Sequence, residues 1–555
     1  MSQPNILFLL VDELRFPTTY DNANAPLMTW MQNNLLAQTA LKASGVTFNR
    51  HYVASTACAP SRTSLFTGHY PTLHGVTGTD GVGKHGWDRG MFWLDPDTVP
   101  TLGDWLRAGG YETYYKGKWH ISMADLITPG THNSVDSNGT GGQVNSDVVA
   151  KYLAANRLEG YGFDGWVGPE PHGAAQSNSG YERDGHFADQ AVELIDDLEL
   201  RPSNQDKPLL LVSSFVNPHD IVLYGPLWTY WGLPVTDATL NFPIAEAPTQ
   251  GEDLAGKPTA QASYVENYAR MFQDQPKDEA YRRFYYYVQK LADAQVKRVY
   301  DRFMQSRFAT NSIVIFTSDH GELLGAHGGM QQKWYQAYEE AIHVPLIIRT
   351  STVTTPRQVN TLTSHIDLIP TILGLAGVNV SAALDVLNET HTETQPLVGR
   401  DLSQLITGVG TAPAAEPVYF MTRDNVSVGI EQIIGDAGWP PVDSPNHVET
   451  IVVDIDGVTW KYSRYFQEPS SVVATIENED MLAAIEEYTN VDDQYEMYDL
   501  TNDPREERNL AGTNLPVETT LKATLVDQSA EKALEPGMTG TYRAQGEGLL
   551  TTATV

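Results

Sequence analysis

Residues 6–13 read I-L-F-L-L-V-D-E, an unbroken apolar run closed by two carboxylates. A run without polar alternation suits a strand buried on both faces, as in a parallel sheet covered by helices. The same texture recurs at Leu209–Phe215, Ile313–Thr317 and Val344–Ile348. Between these lie segments of helical patterning at Thr101–Ala108, Phe187–Leu200, Asp278–Phe308 and Asp367–Ala376. Gly109-Gly110 follows the first and Gly377 the last, in the manner of helix stops. Strand and helix alternate, which predicts an α/β fold with a mostly parallel central sheet flanked by helices.

Ligands of open α/β sheets collect beyond the carboxyl ends of the strands. The run at 6–11 delivers Asp12-Glu13 there, and Y-E-T-Y-Y at 111–115 leads to Lys116-Gly117-Lys118-Trp119-His120. Leu209–Phe215 leads through Asn217-Pro218 to His219-Asp220, and Ile313–Thr317 ends in Ser318-Asp319-His320-Gly321. Any one of these could be a turn or capping group. Together they point to a metal-dependent anion site. Asp12 and the Asp319-His320 pair are the candidate ligands, and hard carboxylate oxygens suit Ca²⁺, Mg²⁺ or Mn²⁺.

The 555 residues are too many for one small core and suit a large domain with a smaller one. Basic side chains number 36 and acidic ones 69, a formal net charge of −33. That sign repels nucleic acid and anionic membranes, so neither is an expected partner. A site for an anion must therefore gather its cations locally. A single cysteine excludes an intrachain disulfide. The N-terminus lacks a basic region and its apolar run is too short for a signal peptide or a membrane span, so the chain reads as cytoplasmic. Stretches 127–147 and 225–262 read as long loops. After a Gly/Ala/Pro linker at 409–417 come short strand-like pieces at Val418–Met421, Thr450–Ile455 and Thr459–Tyr465. The expected division is residues 1–410 and a smaller C-terminal domain, 411–555, with an antiparallel sheet and helices. The tail, 536–555, lacks core patterning and is a candidate for docking on another subunit of a homo-oligomer.

Residues 58–68 read C-A-P-S-R-T-S-L-F-T-G, and Cys58 is the only cysteine. A lone thiol reads either as a small buried hydrophobe or as a nucleophile or modification site. Pro60-Ser61 opens a short helix, Ser61–Thr67, stopped by Gly68, whose N-terminus presents free N–H groups near residue 58. That dipole end is worth about 0.3–2 kcal/mol, too little to hold an anion alone. Arg62 adds a fixed cation.

The pattern C-x-P-S-R followed by T-G resembles the signature of the type I sulfatases, a branch of the alkaline phosphatase superfamily. The resemblance extends to G-K-W-H at 117–120, to H-G-G-M-Q-Q-K at 327–333 with Y-E-E and V-P-L-I-I after it, and to Y-D-L-T-N-D-P-R-E-E-R-N-L at 498–510. It implies an alkaline-phosphatase-like domain over 1–410 that hydrolyses sulfate monoesters, in the arylsulfatase manner. It implies that a formylglycine-generating or equivalent maturase oxidises Cys58 to formylglycine, whose hydrate attacks a small-molecule sulfate ester. By the same resemblance the metal is held by Asp12, Glu13, Asp319 and His320 with the oxygen of residue 58. It is Ca²⁺, with Mn²⁺ as the alternative. Glu13 and His320 depart from the commonest family residues. Arg62 would orient the formylglycine, Lys118 would bind a sulfate oxygen, and His120 would hold the hydrate and act as base. His219 and Lys333 would assist the leaving oxygen, while His74 is structural or peripheral. Phosphonate monoester hydrolases share the Asp-His pair, so a phosphonate monoester or phosphodiester hydrolase with the same nucleophile is the alternative. They lack the Lys118/His120 pair, which favours sulfate. Trp87, Trp93, Trp228 and Trp231 are candidates for lining the substrate pocket.

Overall fold

The computed structural model describes residues 3–536 except 82–84, 89–90, 172, 174, 274, 354, 425–444, 446 and 468–491. Its central sheet is built from β1 (Asn5–Asp12), β2 (Val46–Phe48), β4 (Glu112–Gly117), β5 (Leu209–Pro218), β6 (Ser312–Ser318), β7 (Leu346–Thr350) and β8 (Arg357–Val359) in the order β4-β5-β1-β6-β7-β2-β8. A two-stranded ribbon pairs β3 (His51–Tyr52) with β9 (Thr363–Ser364). β1 lies inside the sheet between β5 and β6, with Phe8 opposite Val212 of β5 and Ile315 of β6.

The apolar run of β1 has the physical cause inferred for it. Ile6, Phe8 and Leu10 enter one core with Phe66, Trp105, Tyr115 and Ile369, beneath the helices Cys58–Thr67, Leu102–Ala108 and Leu368–Ala376. Leu7, Leu9 and Val11 enter another with Phe187, Ile195, Val296 and Phe303, beneath the helices Gly180–Leu200 and Glu279–Gln305. Both faces are covered, so no position could be polar. The apolar segment at 344–348 forms most of β7, but β7 runs antiparallel to β6 and β2.

A second sheet holds β10 (Val418–Thr422), β11 (His447–Ile455), β12 (Val458–Phe466) and β13 (Gln494–Asp499), antiparallel and in sequence order. The helix Pro516–Lys532 covers one face through Leu521 and Leu525. The other face packs Phe420, Val452, Tyr465 and Tyr498 against Tyr264, Tyr335, Tyr338 and Ile342. The Met421 N–H donates to the Ala54 carbonyl at 3.0 Å and Thr422 Oγ1 to the Thr56 carbonyl at 2.6 Å. The second sheet thus holds the chain leading into Cys58. Among the described residues no single helix is long and apolar enough to cross a membrane. The tail from residue 537 lies outside the described residues.

Candidate active site

The helix carrying Cys58 is buried along its whole length, Cys58–Thr67. It starts earlier than expected, because the Ser61 N–H already donates to the Ala57 carbonyl at 3.0 Å. Cys58 therefore stands in the first turn itself, where Pro60 costs no hydrogen bond. Gly68 ends the helix at a φ of 72°, in the left-handed region. His74 binds Ser64 Oγ at 3.0 Å and accepts the Val76 N–H at 3.2 Å, a structural role. The Cys58 Sγ lies 3.1 Å from His320 Nε2 and 3.7 Å from Asp12 Oδ1. Burial, reinforced by Asp12, pushes the thiol far above its ordinary range.

Arg62, in the next turn, spends its guanidinium on the scaffold. Nη1 donates to Asp319 Oδ2 at 3.0 Å, Nε to the Trp119 carbonyl at 2.9 Å, and Nη2 to Ser214 Oγ, the Tyr115 hydroxyl and the Lys118 carbonyl. One buried cation thus ties β6 to the loop after β4. Ser61 Oγ donates to the Asp319 carbonyl. Asp319 Oδ1 accepts the N–H groups of Glu13 (3.1 Å) and His320 (2.9 Å). Burial, with Asp12 beside it, pushes Asp319 up to about 7. Burial would also raise Asp12, but Lys118, His219, His320 and Lys333 outweigh it and hold that carboxyl well below the usual range. His320 Nδ1 lies 3.0 Å from the Gly321 carbonyl. The Nδ1–H tautomer that this bond selects leaves the Nε2 lone pair toward Cys58, Asp12 at 3.4 Å and Asp319 at 3.7 Å.

The loop after β4 is shaped by Gly117, whose φ of 109° and contact with the Ser214 backbone exclude a side chain. Lys118 forms an ion pair with Asp12. Glu170 accepts the N–H of Trp119 at 3.1 Å and of His120 at 2.8 Å, and His120 sits at a φ of 56°. The His120 ring meets Asp80 Oδ1 at 2.6 Å through Nε2. Lys333 lies 3.1 Å from Glu13, whose carboxyl burial raises well above its ordinary value. His219 Nε2 stands 4.0 Å from Glu13, and burial, then Lys118, lowers its pKa. The turn bearing His219 is clamped twice. Asp220 accepts the N–H groups of Gly180 and Tyr181, each at 2.8 Å, and Asp184 accepts those of Val216 and Asn217 at 2.7 and 3.0 Å.

A sulfatase family profile matches residues 4–378. The chain belongs to the sulfatase family. It is 28% identical over 460 residues to the uncharacterized sulfatase YidJ of Escherichia coli (strain K12), covering 82% of this chain and 84% of that one. It is 25% identical over 394 residues to the choline-sulfatase of Rhizobium meliloti (strain 1021), covering 68% of each. The phosphonate monoester hydrolase of Agrobacterium radiobacter shares the fold, with a TM-score of 0.58 at 18% identity over 96% of both chains. The chain is accordingly assigned to the sulfuric ester hydrolases.

In this sulfatase the ends of β1, β4, β5 and β6 meet around residue 58. Asp12, Cys58, Asp319 and His320 offer ligand atoms all within 4.8 Å of one another. Glu13 falls instead into a neighbouring group with Asp12 and His219. The donor set fits a divalent cation on two counts: two adjacent buried carboxylates and an imidazole nitrogen aimed between them. Cys58, Lys118, His120, His219 and Lys333 line one cleft of about 590 Å³, while Arg62 lies behind it. Trp87 and Trp93 line the cleft, but Trp228 and Trp231 do not. Trp228 is fully buried against Phe284, where its ring fills a core. Phe272 and Trp334 line the cleft instead. Sequence reasoning missed Asp80, Glu170 and Asp184 as supports. Glu170, in G-P-E-P, and Asp80, in T-D-G, carry no periodic signal.

Proposed function

We propose that this sulfatase hydrolyses sulfate monoesters, in the arylsulfatase manner, through a formylglycine hydrate derived from Cys58. The observation that carries this reading is the convergence of Cys58 Sγ on His320 Nε2 at 3.1 Å and Asp12 Oδ1 at 3.7 Å, with Arg62 locking Asp319 behind them. An unmodified thiol whose ionisation is suppressed by burial is a poor nucleophile, which supports its conversion. A divalent cation, Ca²⁺ or alternatively Mn²⁺, held by Asp12, Asp319 and His320 with residue 58, would supply Lewis-acid stabilisation of negative charge. Glu13, paired with Lys333 at 3.1 Å, stands beside this group.

The chain's own residues divide the remaining work. Lys118, against Asp12, is placed to receive a sulfate oxygen. His120, oriented by Asp80, takes the proton when the sulfated residue 58 collapses to its aldehyde and releases sulfate. His219 and Lys333 meet the departing oxygen, and the low pKa of His219 leaves Lys333 as the standing cation there. The partners on this reading are a formylglycine-generating or equivalent maturase and a small-molecule ester in the cytoplasm. The alternative, phosphonate monoester or phosphodiester hydrolysis with the same nucleophile, is favoured by the His320 nitrogen at Cys58. The test is the ratio of kcat/KM on 4-nitrophenyl sulfate and on a 4-nitrophenyl phosphonate, with Cys58→Ala as control. Sulfate preference that Cys58→Ala abolishes is expected. Phosphonate preference selects the alternative, and parental sulfate turnover by Cys58→Ala refutes both.

A further inference from the structure

Accepting the sulfate ester reading of the cleft, its lining specifies the other half of the ester. Two aromatic series start at the reacting residues and run outward. One begins at His120, whose ring is 5.8 Å from that of Trp93, and includes Trp87, stacked between His85 and His132 at 4.5 Å on each side. The other begins at Lys333, 5.0 Å above the Trp334 ring, which stacks on Phe272 at 4.9 Å. These rings are held by the fold. Trp93 Nε1 donates to the Gly86 carbonyl at 2.8 Å and Trp334 Nε1 to Asp424 at 3.0 Å. Val222, Leu223 and Leu227 extend the apolar lining. Their loop is fixed by Gln273 and Gln275, whose amides donate to the Ile221, Val222 and Tyr224 carbonyls.

The polar groups argue in the same direction. Among the described lining residues Lys118 and Lys333 are the only lysines and no arginine occurs, and both lysines are paired with carboxylates of the site. Asp80, Asp125, Glu170 and Asp220 also line the cleft, each engaged by His120, Ser134 or backbone N–H groups. A second anionic group on the substrate would meet four carboxylates. A cavity on the order of 150 Å³ admits benzene, so a cleft of about 590 Å³ that also takes the sulfate group has room for more than one ring.

We propose that the ester's organic half is a bulky apolar group of at least two fused rings that carries no second anionic group, a sulfated polycyclic phenol or alcohol. Filling an apolar lining with an added ring is worth tenfold or more in specificity, since even one methylene gives roughly 10–200-fold.

The test compares 2-naphthyl sulfate, phenyl sulfate, glucose 6-sulfate and choline O-sulfate on matured enzyme. Phenyl and naphthyl leaving groups have similar acidity, so their ratio reads the cleft and not the chemistry. The expected kcat/KM for naphthyl sulfate exceeds that for phenyl sulfate at least tenfold and those for the sugar and choline esters by more. Phe272→Ala should shrink the naphthyl advantage at least fivefold. Inhibition of the unaltered enzyme by 2-naphthalenesulfonate against benzenesulfonate gives the same comparison without a variant, and the naphthyl compound should bind at least tenfold tighter. Equal values for one and two rings, or a preference for glucose or choline sulfate, overturn the inference while leaving sulfate hydrolysis intact. Failure on every sulfate ester, with turnover of phosphonates, overturns the functional reading on which it rests.

Discussion

Asp220→Asn isolates the placing of His219 from the chemistry. The Asp220 carboxylate accepts two N–H groups at 2.8 Å, from Gly180 and Tyr181, at the start of the helix Gly180–Leu200. Its own N–H donates to Asn217 Oδ1 at 3.2 Å, closing the turn that carries His219. Burial raises its carboxyl to about 6, offset by those N–H groups, so it is ionised in an assay near pH 7.5. The amide keeps one acceptor oxygen and turns its NH₂ toward the second N–H. One charge-assisted bond, about 1.5–3 kcal/mol, is lost and one buried donor is orphaned. The charge at a helix N-terminus, about 0.3–1 kcal/mol, goes as well. Their sum, about 2–4 kcal/mol, exceeds the roughly 1.4 kcal/mol that corresponds to a tenfold rate effect. Because His219 is proposed to meet the departing oxygen, the loss should grow as the leaving group worsens. The assay is kcat/KM across aryl sulfates from nitrophenyl to phenyl. A decline under about threefold for nitrophenyl sulfate and about 10–100-fold for phenyl sulfate is expected. A lowered Tm with an unchanged leaving-group dependence would refute the reasoning, because Asp220 would then support the fold alone.

Other perturbations reach different parts of the structure. Lys118→Ala removes a positioned cation and should lower kcat about 10²–10³-fold with a smaller effect on Tm, measured by turnover and calorimetry on the same preparation. Exhaustive chelation should abolish turnover and lower stability by about 3 kcal/mol relative to enzyme at 100 times the metal Kd, with Ca²⁺ or Mn²⁺ restoring both; turnover indifferent to chelation would contradict the metal site. His327 is held by Glu252 at 3.0 Å and Glu340 at 3.4 Å, which overcome burial and raise it from the ordinary 6.5 to about 9. Its contribution is therefore fully present below about pH 6.5 and lost as pH rises through 9, an order of about 3 kcal/mol. Denaturant titrations should find that decline in the parent and a flatter profile in His327→Gln.

The parts legible in sequence are those written in contiguous residues. A run such as Ile6–Val11 cannot be other than covered on both sides, and its position fixes where Asp12 emerges. The signature around Cys58 is equally local. The direction of β7 was not legible, because a short apolar run reads the same either way along the sheet. Neither was the start of the helix at Cys58, which depends on a bond to the Ala57 carbonyl. Glu170 and Asp80 reach the site only through tertiary folding, being 50 and 40 residues from His120. An isolated acid in a loop carries no sign of which N–H groups it will meet. The aromatic lining illustrates the same limit. Trp228 and Phe272 both sit in regions of weak pattern, and only the packing of Trp228 on Phe284 sends one to a core and leaves the other at the cleft. The run at 494–510 joins the second sheet to the segment after Lys333. Glu496 accepts the hydroxyls of Tyr338 and Tyr465, each at 2.7 Å, and Glu506 accepts the Glu339 N–H at 2.8 Å.

The account turns on the chemical identity of side chain 58 in the working enzyme. Mass spectrometry of the peptide spanning Cys58, from protein coexpressed with a maturase and sorted by specific activity, tests it most directly. The account predicts a mass lowered by the difference between a thiol and an aldehyde, in proportion to aryl sulfate turnover. Full turnover from protein whose residue 58 retains its thiol would contradict it.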